Sequence, residues 1–237
     1  MGEGIGNDEL IMPFISSANI ACGYHAGDEK TMEKMIELCI KYDVAIGAHP
    51  SFLDRENFGR IDMKLPLEEI YDLLTQQLFI LNEVADSFDR KIGHVKPHGA
   101  LYNLSVENPG VARIIALAVR EFDAGLILVG LSGSPSITEA EAMGLKTASE
   151  VFADRTYQED GSLTPRSEPG ALIENTDHAV QQALQMIKEG TVTTTTGEVI
   201  PVVAETICVH GDGKHAVEFV KQIQEGLKKE DIRIVKR

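Results

Sequence analysis

Val44-Ala45-Ile46-Gly47-Ala48 is a short apolar run of the buried-strand kind, and it breaks directly into His49-Pro50. The same change of character recurs along the chain. Ile15-Ser-Ser-Ala-Asn-Ile20 runs into Ala21-Cys22-Gly23-Tyr24-His25-Ala26-Gly27-Asp28, and His94-Val95-Lys96 runs into Pro97-His98-Gly99-Ala100-Leu101-Tyr102-Asn103. Lys146 to Phe152 stops at Ala153-Asp154-Arg155, and Val202 to Val209 stops at His210-Gly211-Asp212. Helical patterns separate these segments. Asp28 caps one whose apolar positions Met32, Met35, Ile36 and Cys39 follow the i, i+3, i+4, i+7 spacing. Pro66 suits a first helical position, ahead of a face of Ile70, Leu73, Leu74, Gln77, Leu78 and Leu81. Asn108-Pro109 opens a helix carrying Ile114, Ile115, Ala118 and Phe122, followed by the strand-like Leu126 to Gly130. Ser134-Pro135 starts a short helix that Gly144 can end. Thr176 to Glu189 and Asp212 to Leu227 are the last two amphipathic helices, and Ile232 to Val235 reads as a closing strand. Alternating strand and helix predicts an α/β fold with mostly parallel strands. Asp154 to Gly170 and Gly190 to Pro201 are the long irregular stretches, a length that marks functional lids or local hairpins.

Composition narrows the function. The chain has 237 residues, with 22 Lys+Arg against 37 Asp+Glu, a formal charge of −15. Nucleic acids and anionic membranes attract basic surfaces, so neither partner is expected. The length fits one large domain or two small ones, and 43% hydrophobic residues can build a sizeable core. No apolar run approaches the roughly 18–20 residues of a membrane span, and MGEGIGNDEL lacks the regions of a signal peptide. A soluble, cytoplasmic protein is expected. Cys22, Cys39 and Cys208 are odd in number and widely spaced, so neither a disulfide framework nor a thiolate zinc site is indicated. Buried apolar roles are the reading for Cys22 and Cys208.

In parallel α/β folds the C-terminal strand ends and the loops after them carry the active site. Strand ends therefore deliver His25, His49, Lys96 with His98, Asp154 with Arg155, and His210. A single histidine beside Pro or Gly is commonly a hydrogen-bonded turn residue; the recurrence is what points to chemistry. His94 alternates away from Lys96 and reads as a core residue, while His178 and His215 lie on helices and receive no role. Neutral imidazoles with a carboxylate can hold a divalent ion that activates water, although no HExxH-type spacing is present. The glycine-rich segments Gly130-Leu-Ser-Gly-Ser134 and Gly2-Glu-Gly-Ile-Gly6 could approach an anion, but without the lysine of a phosphate loop they read as plain turns.

Six segments together resemble the LamB/YcsF family of 5-oxoprolinase A subunits. They are GEGIGND at Gly2 to Asp8, SSANIACGYHAGD at Ser16 to Asp28, and IGAHPSFLD with NFGR from Ile46 to Arg60. HVKPHGALYN at His94 to Asn103, EVFADRTYQEDGSLTPR at Glu150 to Arg166 and ICVHGD at Ile207 to Asp212 complete the set. The resemblance implies one domain over residues 1–237, an incomplete or distorted (β/α) barrel of the glycoside hydrolase/deacetylase type. Its first strand, which in the family ends in an Asp-Leu-Asn-rich segment, is expected upstream of residue 1.

The resemblance also implies cleavage of 5-oxo-L-proline to L-glutamate, with hydrolysis of ATP to ADP and phosphate, alongside partner subunits B and C. On that reading His25, His49, Lys96, His98, Asp154, Arg155 and His210 are the catalytic candidates. Lys96 and Arg155 would clamp anionic oxygens, and His210 would orient a neighbour. Asn19, Arg60, Tyr102, Asn103 and Arg166 are candidates for substrate contacts. His25, His49 and His98 are the candidate ligands of Mg²⁺ or another divalent metal. A stand-alone metal-dependent amide or N-acetyl hydrolase, and a noncatalytic binding or docking component, remain as alternatives, and homo-oligomerisation is left open.

Overall fold

The structure, a computed structural model, describes residues 1–211 and 216–236. Asp212 and His215 lie outside the described residues, and with them the expected start of the last helix. The chain clusters into two compact units, one of Met1–Gly130 and Ser134–Ala148 with Lys236, the other of Leu131–Gly133 and Ser149–Val235.

In the first unit a short helix α1 (Asp8–Ile11) and a 3₁₀ turn precede β1 (Ser17–Ala21), α2 (Glu29–Tyr42), β2 (Ala45–His49), α3 (Leu67–Asp86) and β3 (His94–Val95). Then come α4 (Gly99–Glu107), α5 (Pro109–Phe122), β4 (Ile127–Leu131) and α6 (Pro135–Ala142). The ladders β1–β2, β2–β3 and β3–β4 are all parallel. Capping follows the sequence. The Asp28 carboxylate accepts from the Thr31 N–H at 2.9 Å at the head of α2, and Asn108 caps α5 ahead of Pro109. On α3 the buried face is Ile70, Leu74, Leu78 and Leu81, packed into one core with Ile36, Val95, Leu101, Ile115, Val119 and Leu128. Burying such a side chain contributes about 1.5–3 kcal/mol, which holds α3 and α5 on the sheet.

The second unit contains the end of β5 (Lys146–Phe152), α7 (Thr176–Glu189), the antiparallel pair β6 (Thr191–Thr193) and β7 (Val199–Pro201), β8 (Thr206–Cys208) and α8 (Ala216–Lys229). β5 pairs with β8 in parallel, and Ala179, Ala183, Phe219, Ile223 and Leu227 form a core between α7 and α8. The six strands of the main sheet run in the order β1-β2-β3-β4-β5-β8. This is the expected mostly parallel α/β sheet, and among the described residues it has fewer strands than a closed β/α barrel uses.

Several expectations shift in detail. Pro66 is the cap residue before α3 rather than its first helical residue. Only His94–Val95 of the extended 91–96 segment and Thr206–Cys208 of 202–209 pair as strand. Ile232 to Val235 forms no strand. α4 has no counterpart among the expected helices, because its Ala100, Leu101 and Tyr102 are consecutive buried residues that show no helical period. The stretch 190–201 is a hairpin, one of the two readings that its length allowed.

One glycine explains how three strands share a polar contact. Gly47 on β2 pairs with both Asn19 on β1 and His94 on β3. His94 Nε2–H donates to Asn19 Oδ1 at 3.0 Å, passing over the strand between them. A Cβ on Gly47 would overlap the His94 ring. Gly47→Ala is therefore expected to lower stability by about 2 kcal/mol or more in urea titration; an unchanged midpoint would mean that His94 is not packed there.

Candidate functional site

The first unit gathers three histidines through its backbone pairing. β1 leads into the loop that carries His25, β2 ends on His49, and β3 leads into Lys96 and His98. The β2–β3 pairing continues past the strands: Lys96 N–H donates to Ala48 O at 2.9 Å and His98 N–H to Pro50 O at 2.8 Å. That continuation sets His49 and His98 side by side. The start of the chain lies along β1, with Ala21 N–H donating to Met1 O at 3.1 Å. Positive φ at Gly2, Gly4 and Gly6 then turns Glu3 toward His25.

A loop of residues 51–60 covers the rings from the other side. The buried Gln77 side chain holds the main chain of Ser51 twice, accepting at 2.9 Å from its N–H and donating at 2.8 Å to its carbonyl. Phe58 has a φ of 58°, unusual for a residue with a side chain, and its ring meets His25 and His98 edge-on. Gly59 and Gly99 follow at positive φ, and the Gly59 carbonyl lies where a Cβ of Gly99 would have to be. Only glycine fits that approach.

The ring contacts fix where the protons sit. His49 Nδ1 lies 2.6 Å from Lys96 O, and His98 Nε2 lies 2.8 Å from Phe58 O. A carbonyl only accepts, so each of those nitrogens carries the hydrogen and each neutral ring keeps its lone pair on the other nitrogen. Those others, His49 Nε2 and His98 Nδ1, face each other at 3.0 Å. His25 stacks on His98 at 3.9 Å and 4° between planes, and its Nε2 lies 3.2 Å from Glu3 Oε1. Glu3 Oε1 is also 3.9 Å from His98 Nδ1.

Burial depresses the histidines: His98 falls to about 3, helped by the charge of His25, and His49 falls well below 6.5 through burial and its imidazole neighbours. Burial pushes the Glu3 carboxyl up, but the hydrogen bond with His25 and the nearby positive charges bring it down to about 2. Near neutral pH the cluster is thus a carboxylate beside two neutral imidazoles. Glu3, His49 and His98 offer ligand atoms all within 4.8 Å of one another. His25 turns its Nε2 to Glu3 and stands outside that group, which differs from the trio expected from sequence. Glu3 itself was missed. Its one sequence signal is an acid set between glycines in Gly2-Glu3-Gly4.

The other first-unit candidates divide. Lys96 is buried at 6% exposure, its Nζ 5.5 Å from the centre of the Tyr102 ring. Arg60 lies over the Phe58 ring at 4.9 Å. Asn19 accepts from His94, whose own pKa falls to about 4 through burial and the charge of Lys96. Asn103 is exposed on α4. Cys22 is buried with its thiol pushed up to about 12 by desolvation, as an apolar role requires.

In the second unit Asp154 and His210 form a pair. His210 Nδ1 lies 2.8 Å from Asp154 Oδ2, and the His210 main-chain N–H donates to the same oxygen at 3.3 Å. Burial raises the Asp154 carboxyl, but the bonds from His210 prevail and it stays below the usual range. The carboxylate fixes the His210 proton on Nδ1, leaving Nε2 as the acceptor nitrogen, with the ring stacked against Phe152 at 5.7 Å. Arg155, expected as an anion clamp, donates instead to the carbonyls of Ala171 and Thr164 and secures the loop after β5. Arg166 is exposed on that loop. Ser132 of the glycine-rich 130–134 turn bonds Glu150 O and Val203 N–H, so its polar groups hold the fold.

A sequence model of the LamB/YcsF family matches residues 1–237. The 5-oxoprolinase A subunit of Staphylococcus carnosus (strain TM300) is 50% identical over 241 residues, covering 100% of this chain and 96% of the relative. That of Brevibacillus brevis (strain 47) is 47% identical over 242 residues, covering 100% and 95%. The crystal structure of the lactam utilization protein from Thermus thermophilus matches with a TM-score of 0.92 and 38% identity, covering 98% of this chain and 93% of that one.

The depressed histidines carry a stability cost in acid. A histidine whose folded pKa lies below its unfolded 6.5 takes up a proton on unfolding once the pH is near or below that value, whereas Glu3, at about 2 folded against 4.5 unfolded, does so only below 4.5. The unfolded chain binds more protons, so stability is full above pH 6.5 and falls as pH drops below it. Urea titrations in chelator between pH 7.5 and pH 5 are expected to show a loss on the order of 1.4 kcal/mol per pH unit for each histidine involved. Flat stability down to pH 5 would contradict the neutral, buried assignment.

Proposed function

The chain belongs to the LamB/YcsF family, and from that premise we propose that it is one component of an ATP-dependent 5-oxoprolinase. It acts with partner subunits B and C, opens 5-oxo-L-proline to L-glutamate and couples this to hydrolysis of ATP to ADP and phosphate. The full-length likeness to 5-oxoprolinase A subunits carries the reading. With ATP as co-substrate, the place of work is the cytoplasm. No helix among the described residues is long and apolar enough to cross a membrane.

The chemistry explains why ATP is needed. A five-membered lactam is a stable amide with a poor leaving group. Transfer of the γ-phosphoryl group to the lactam oxygen makes the ring carbon electrophilic. Water then adds to that carbon, the C–N bond breaks with the electron pair going to nitrogen, and hydrolysis of the resulting acyl phosphate gives glutamate and phosphate. Such steps need a cation beside the anionic oxygens and a base that takes the proton of water.

This chain supplies groups of both kinds. Lys96 is a buried cation flanked by an aromatic face. The Asp154–His210 pair holds one proton on Nδ1, so Nε2 can accept another, the arrangement of an oriented general base. His25 keeps the Glu3 carboxylate in place beside His49 and His98. Arg155 acts on this reading by holding the loop after β5 rather than by clamping phosphate.

The test is glutamate and phosphate release from 5-oxoproline and ATP, with the chain alone and with subunits B and C. Turnover is expected only in the assembled enzyme. Lys96→Ala and His210→Gln are expected to lower kcat by roughly 100-fold or more with the circular dichroism unchanged. Full activity in both variants would reduce this chain to a docking or binding component. Cleavage of an N-acetyl substrate by the metal-supplied chain alone, with no turnover of 5-oxoproline in the assembly, would replace the reading by that of a stand-alone amide hydrolase.

A further inference from the structure

We infer that Glu3, His49 and His98 bind one divalent transition-metal ion of the Zn²⁺ or Co²⁺ kind, in preference to Mg²⁺. The facing lone pairs are the first ground. His49 Nε2 and His98 Nδ1 are 3.0 Å apart, and the carbonyls of Lys96 and Phe58 hold the hydrogen of each ring on its far side. Two acceptors in that position repel unless a cation lies against both.

The separations are the second ground. Atoms bound to a common zinc-like ion, each about 2.1 Å from it, lie at most about 4.2 Å apart. The two nitrogens at 3.0 Å and the Glu3 oxygen at 3.9 Å from His98 Nδ1 fall inside that limit, and every pair among the three ligand atoms lies within 4.8 Å. The remaining contacts follow the same pattern. Ligating histidines commonly give their second N–H to a backbone carbonyl, and ligating carboxylates are commonly hydrogen-bonded in turn. His49 and His98 do the former, and the bond from His25 to Glu3 does the latter. Two imidazoles with one carboxylate suit zinc and its neighbours, whereas Mg²⁺ favours an all-oxygen shell.

The inference does not rest on lactam cleavage, since occupancy and turnover are measured separately. Chelator-stripped full-length protein would be titrated with Co²⁺, following the visible absorption of the bound ion, and with Zn²⁺ by equilibrium dialysis and elemental analysis. One ion per chain is expected, with Zn²⁺ displacing Co²⁺ and millimolar Mg²⁺ displacing neither. Glu3→Gln keeps the side-chain shape and is expected to weaken binding by at least roughly 10-fold, and His98→Gln by at least roughly 100-fold. His25→Gln, which leaves all three ligands in place, is expected to lose less than Glu3→Gln. Circular dichroism confirms the fold of each variant. X-ray absorption of the cobalt-loaded wild type, expected to show two imidazole ligands, decides the matter should His98→Gln not fold. Absence of stoichiometric binding by the folded wild type, or binding unaffected by Glu3→Gln, would overturn the inference. So would a count of one or three imidazoles.

Discussion

Two backbone carbonyls, those of Lys96 and Phe58, determine what the histidine cluster of the first unit can do. Each accepts the one hydrogen of a neutral imidazole, and between them they point the lone pairs of His49 and His98 at each other. The Lys96 carbonyl is placed by the parallel ladder that carries β2 and β3 beyond their ends. The Phe58 carbonyl is placed by a loop that Gln77 grips at Ser51 and that the close approach of Gly59 and Gly99 completes. Sheet register, a buried glutamine and a strained turn therefore converge on the position of two protons.

Electrostatics follows from this arrangement. A buried cluster containing a carboxylate with its pKa near 2 and a histidine near 3 is charged on the acid and neutral on the base near neutral pH. Isolated in a core, such a group would be costly. Here His25 satisfies the carboxylate, and the backbone satisfies one nitrogen of each remaining ring. The second unit solves a related problem differently. Asp154 takes both the ring and the main-chain N–H of His210, so one carboxylate orients one imidazole and its proton. Although the chain carries a formal charge of −15, Lys96 still puts a buried cation in the first unit, of the kind an anionic substrate would need.

The strand ends were legible because a short apolar run broken by His, Pro or Gly is a local signal. His25, His49 and His98 meet as that pattern implies. Glu3 was not legible, being one of 37 acidic residues in a loop with no strand before it. Its place depends on the first residues lying along β1, a long-range contact that no spacing rule reports. Arg155 erred in the opposite sense. It stands at a strand end where an anion clamp was expected, but two carbonyls of the following loop take its guanidinium. α4 escaped because its buried Ala100, Leu101 and Tyr102 are consecutive, so its exposed Asn103 and Glu107 face no apolar stripe of helical spacing in the sequence.

Nitrogen-15 NMR of the histidine rings reads the placement of these two hydrogens directly. In chelator-treated protein near neutral pH, His49 is expected to carry its hydrogen on Nδ1 and His98 on Nε2. The opposing nitrogens, His49 Nε2 and His98 Nδ1, should both show the shift of an unprotonated ring nitrogen. A hydrogen found on either of those two would mean that the rings bond to each other directly, and would contradict the facing lone pairs of His49 and His98.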